Sequence, residues 1–112
     1  MMIRITIFFF ILQSSIVSIV FAEQANSEFR ATWVITWEHI DQNKNPGQNM
    51  EKIRKIMEDH KAANMNAVIF QVRQSGTAYY QSSYEPWGYY AGYQYPGYDP
   101  LEYAIEEAHK RG

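Results

Sequence analysis

Residues 66–111 read NAVIFQVRQSGTAYYQSSYEPWGYYAGYQYPGYDPLEYAIEEAHKR, and this stretch decides the fold. It opens on an apolar run, Ala67 to Val72, which carries Gln71 and leads into Arg73. A tyrosine-rich loop follows and closes on Asp99-Pro100-Leu101-Glu102, the form of a helix start. A buried strand, a wide aromatic loop and a capped helix, in that order, predict one β/α unit of a larger α/β sheet. The loop then lies at the carboxyl end of its strand, where parallel α/β folds place binding sites.

Working outward, Leu101, Ala104, Ile105 and Ala108 give the second helix its apolar stripe. Lys110 and Arg111 occupy its last turn, and Gly112 stops it. Upstream, about Met50 to Ala63 predicts another helix, capped by Asn49 and ended by Asn64. Met50, Ile53, Met57 and His60-Lys61 recur at three to four residues, with Ile56 and Ala63 widening the stripe. Ile40 to Gln48, with Asn45-Pro46-Gly47, predicts a loop. Before it, Phe29 to Trp37 is rich in β-branched and aromatic residues and predicts the first strand, apolar on both faces. A helix in the link between the two strands makes them parallel partners.

The first residues read as an address. A short basic start at Arg4, an apolar run from Ile5 to Leu12, and Val20-Phe21-Ala22 before Glu23 predict a signal peptide over residues 1–22. Residues 23–28 form a linker, and residues 29–112 begin an incomplete domain. The sequence therefore predicts export to the periplasm, the cell envelope or the medium, with no stable membrane span after cleavage. Residues 23–112 carry nine Lys/Arg and twelve Asp/Glu, a net of 9 − 12 = −3. No basic stripe appears, which excludes nucleic acid as a partner. Cysteine is absent, so stability has to come from a core rather than disulfides. His39, His60 and His109 share no ligand spacing, the two helical ones reading as surface residues; neither a metal nor another cofactor is expected.

The residues that could carry chemistry sit at the expected carboxyl rim. Gln74 to Tyr98 holds eight of the nine tyrosines, together with Trp87. Aromatic faces with polar tips suit sugar rings, and they also pack loops on themselves. Gln71 and Arg73 end the second strand, and Trp37 ends the first. An arginine there binds a carboxylate or a carbohydrate oxygen, or makes a structural ion pair. Glu38 and Glu85 are candidate carboxylates at the rim, besides Asp41 and the capping Asp99. Glycoside hydrolysis needs two on opposite sides of one bond.

Several separated motifs then fall in one order: Glu28-Phe29-Arg30-Ala31-Thr32-Trp33-Val34, Asn66 to Arg73, Glu85-Pro86-Trp87, Gly97-Tyr98-Asp99-Pro100-Leu101, and Ala104 to Gly112. Together they resemble the start of the glycosyl-hydrolase-like 10 family of bacterial envelope proteins. The resemblance implies the first two β/α units of a (β/α)₈ TIM barrel, truncated, and a glycosidase acting on a polysaccharide. For some members the proposed substrate is the glycan strand of peptidoglycan. It also implies substrate-binding roles for Gln71, Arg73, Tyr80 and Trp87, to which Trp37 is added by its position. Glu85 matches the family as well. The catalytic acids are expected downstream of residue 112. The sequence departs from the family at Gln42, Gln74 and Thr77, which bears on specificity. A non-catalytic glycan-binding barrel and an envelope scaffolding protein are the competing readings.

Overall fold

A computed structural model describes residues 28–112. The expected signal peptide, and the linker up to residue 27, lie outside the described residues. The chain is α/β. Strand β1 (Ala31–Val34) leads through a short helix α1 (Thr36–His39) into helix α2 (Pro46–Ala62), then strand β2 (Ala67–Phe70). Two two-residue strands follow, β3 (Arg73–Gln74) and β4 (Thr77–Ala78), then a 3-10 turn at Tyr89–Ala91 and helix α3 (Pro100–His109).

β1 and β2 pair in parallel, with Trp33 opposite Ile69 and Val34 opposite Phe70. One face of this pair is covered by helices. Val68 and Phe70 pack against Ile53 and Met57 of α2 and Ala104 of α3, with Tyr98 completing the cluster. Thr32 meets His60 of α2 on the same side through its hydroxyl. The other face carries Trp33, 61% exposed, and Ile69, 43% exposed. The expectation of burial on both faces therefore holds for one face of the described residues.

The first strand is shorter than its apolar sequence predicts. Beyond Val34 the backbone turns, because side chains take over its hydrogen bonds. The Ile35 N–H donates to Glu38 Oε2 at 2.9 Å, and the Thr36 N–H donates to Gln71 Oε1 at 3.0 Å. Tertiary partners outweigh the β propensity of Ile35, Thr36 and Trp37. The second strand also stops early, at Phe70, and Arg73 belongs to the β3–β4 hairpin instead.

α2 starts four residues before the expected Met50. Asn45 Oδ1 accepts from the Gln48 N–H at 2.9 Å, and Gln48 Oε1 accepts from the Asn45 N–H at 3.0 Å. With Pro46 in the first turn, this reciprocal cap makes a helix start of what reads as a loop. Asn49, the expected cap, is buried and exchanges two bonds with the Asp41 backbone. Asn64 ends the helix with φ 61°. His60, expected at the surface, is half-buried, and its Nδ1 meets the Ile56 carbonyl at 2.7 Å. At α3 the prediction of Asp99 as cap holds: its Oδ1 accepts from Leu101 and Glu102 N–H at 2.9 and 3.0 Å. Among the described residues no bond returns from the Glu102 side chain, and no helix is long and apolar enough to cross a membrane.

Candidate functional site

Because β1 and β2 run parallel, the segments that follow them, Ile35–Asn45 and Gln71–Asp99, emerge at the same end of the sheet. A second apolar cluster joins them. Ile40 from the first segment packs with Tyr79 and Ala91 from the second, flanked by Trp87 and Tyr90. The long loop is thus not the structureless segment its composition suggests. It is folded by the β3–β4 hairpin, a bridge between Ala78 and Trp87, and the 3-10 turn. Gly88 is essential to this packing. A Cβ there would lie 2.3 Å from the Tyr79 hydroxyl and 2.5 Å from Thr77 Oγ1.

Gln71 sits at the junction. Its Oε1 accepts from both the N–H and the hydroxyl of Thr36, each at 3.0 Å. Its backbone carbonyl accepts from His39 Nε2 at 2.9 Å. The Gln71 carbonyl oxygens are therefore directed at α1, and only its NH₂ group is left to meet a ligand. His39 is fully buried, stacked 4.1 Å from Phe70 and edge-on to Tyr79 at 6.3 Å. Among the described residues its Nδ1 has no partner. Burial is the main cause that lowers its pKa to about 4, and the nearby Lys52 ammonium acts in the same direction. His39 is therefore neutral at pH 7, with the proton assigned to Nε2. Neither its burial nor its bond to Gln71 was legible in the sequence, because it depends on α1 turning where a strand was expected.

Arg73 forms a two-pronged ion pair with Glu85, its Nε donating to Glu85 Oε2 at 2.6 Å and its Nη2 to Oε1. The partner lies in the same loop rather than on a neighbouring strand. Arg73 remains well exposed while Glu85 is mostly covered. The guanidinium holds the Glu85 carboxyl below the ordinary glutamate range. Tyr80 lies near Arg73. Trp87 stands 5.7 Å from Tyr95, and Trp37, half-exposed on α1, stands 6.0 Å from Tyr90. The five expected binding residues all fall on the two segments at this end. Gln71 is linked to α1, which bears Trp37, and Arg73 lies beside Tyr80. The Trp37 and Trp87 rings belong to different aromatic contacts.

The carboxylates of this rim all have partners. Glu38 holds the Ile35 N–H. Asp41 Oδ1 accepts from the Asn43 N–H at 2.9 Å, which lowers its pKa. Glu85 holds Arg73, and Asp99 caps α3 while accepting from the Gln81 N–H at 2.8 Å. Among the described residues no three His, Asp or Glu side chains converge as metal ligands.

The family model described as Glycosyl hydrolase-like 10 matches residues 28–112. The chain is 37% identical over 110 residues to glycosyl hydrolase YngK of Bacillus subtilis (strain 168), an alignment covering 90% of the chain and 22% of that protein. It is 32% identical over 104 residues to glycosyl hydrolase DigH of Escherichia coli (strain K12), covering 80% of the chain and 24% of that protein. The chain thus spans between a fifth and a quarter of the length of these relatives.

Proposed function

The chain belongs to the glycosyl hydrolase-like 10 family, and from that premise we propose that it forms the first two strand–helix units of a (β/α)₈ barrel in an exported glycoside hydrolase. The substrate is a polysaccharide, with the glycan strands of peptidoglycan as the candidate. The family match over residues 28–112 carries the reading. The shared rim supports it, since barrel enzymes bind substrate where the strands run out. On this reading Gln71 offers its NH₂ group, Arg73 and Tyr80 offer donors, and Trp37 and Trp87 offer ring faces to the glycan.

The catalytic carboxylates lie outside residues 28–112. A general acid in glycoside hydrolysis needs a raised pKa and a free proton to deliver. Glu85 and Asp41 are shifted the opposite way. Glu38 and Asp99 are spent on backbone N–H groups. The second reading is a barrel that binds glycan without cleaving it.

The test is release of reducing ends from purified peptidoglycan and other polysaccharides by the complete protein. Cleavage is expected, and E38Q and E85Q should each keep kcat within about tenfold. A loss of roughly 10²–10⁴, typical for removal of an acid or base, would move catalysis into this chain. Binding without cleavage would favour the second reading, and absence of both would favour an envelope scaffold.

A further inference from the structure

A strip of rings lies on the same two segments at this rim. Trp37 and Tyr90 are 6.0 Å apart, Tyr90 and Tyr89 5.2 Å, and Tyr89 and Tyr93 6.0 Å. Trp37, Tyr89 and Tyr93 are exposed, while Tyr90 is half-buried and anchored 6.4 Å from buried Tyr79.

Tyr93 is held at a cost. Its φ is 58°, a left-handed conformation that bulky side chains rarely adopt. The turn fixes it there: Gly92 N–H donates to the Tyr89 carbonyl at 2.8 Å, and Tyr93 N–H to the Gly88 carbonyl at 3.0 Å. Asparagine or glycine would fit this position with less strain. Yet the residue is a tyrosine, and it is 68% exposed, so burial does not account for it. Strain kept at an exposed aromatic points to a ligand contact.

Beside the strip lies a cleft of about 150 Å³, lined among others by Gln42, Lys44, Tyr90, Gln94 and Tyr95. Two of its lining amides, Gln42 and Gln94, lie near Gly92. A Cβ at Gly92 would sit 3.8 Å from Gln42 Oε1 and 4.0 Å from Gln94 Nε2. No hydrogen bond among the described residues engages either side chain. The cleft is smaller than the ~300–1,000 Å³ of pockets for drug-sized ligands.

We propose that the Trp37–Tyr90–Tyr89–Tyr93 strip and the Gln42/Gln94 cleft form a subsite for neutral pyranose units, a further part of the glycan site at this rim. The rings receive the C–H faces of successive sugars, and the amides exchange hydrogen bonds with hydroxyl or acetamido groups. A purely apolar partner would strand both amides, which costs free energy. The subsite rests on the glycan reading of this rim but not on hydrolysis.

The test uses the complete protein, a hexamer of β-1,4-linked N-acetylglucosamine and purified peptidoglycan as probes, and thermal melting alongside. Y93N should melt at or above the wild-type temperature, because the strain is relieved, and should bind both probes roughly three- to tenfold more weakly. Q94A should also weaken binding without lowering the melting temperature. A lower melting temperature for Y93N would make the ring structural and overturn the proposal, whatever the affinity does. Unchanged affinity in Y93N, or no binding of either probe by the wild type, would overturn it too. If these binding losses appear while no polysaccharide is cleaved, the enzymatic reading fails and the subsite stands.

Discussion

At the residue scale, His39 is the group whose chemistry depends most on its surroundings. It is neutral in the folded chain, with a pKa near 4 against 6.5 for the free side chain. Between those values the unfolded chain binds the proton and the folded chain does not, so stability falls as pH drops from about 6.5 to about 4. The contribution is complete above pH 6.5 and amounts to roughly 3 kcal/mol. Urea denaturation at pH 7.5 and pH 4.5 should show a loss of that order, and H39Q should lose most of this pH dependence. An equal pH dependence in H39Q would place the effect elsewhere. The sequence predicts a first strand running to Trp37, whereas β1 ends at Val34 and His39 closes α1. It could not show that a protonatable ring is enclosed there by Phe70 and Tyr79, which lie far along the chain.

At the element scale, the rim is held by side chains acting as caps. Gln71 Oε1 is the acceptor for the fully buried Thr36, through both its N–H and its hydroxyl. Q71L would leave two buried donors unpaired, and a loss of about 2–3 kcal/mol in chemical denaturation is expected. A change under about 0.5 kcal/mol, the range of ordinary surface substitutions, would mean that α1 does not depend on Gln71. Caps also explain which elements were legible. Asp99-Pro100 announces α3 because donor, acceptor and fixed φ are neighbours in sequence. Asn45-Pro46 carries the same local signal, completed by Gln48, but it is overshadowed by Gly47 and the surrounding asparagines. The turn into α1 has no such local signature apart from Glu38, since its other partner is Gln71, 35 residues away. The ion pair of Arg73 was legible as a kind of interaction but not in its partner, because Glu85 is brought back by the hairpin between them.

At the scale of the whole molecule, the two strands divide the chain into a covered side and an open one. The covered side is the α2–α3 core of Ile53, Met57, Tyr98 and Ala104. The open side shows Trp33 and Ile69, paired across the strands, in a chain that spans a quarter or less of its relatives. In the barrel proposed above, that face turns toward the interior, where layers of apolar side chains fill a closed sheet. Both connections that follow the strands then open on one mouth, and the aromatic rings, Gln71 and Arg73 surround it. The most direct measurement is a crystal structure of the complete protein with a bound glycan oligomer. The account predicts sugar rings against Trp37 and the tyrosines at the end where β1 and β2 finish. Sugar bound at the opposite end, beside Arg30 and Asn66 where the strands begin, would contradict it.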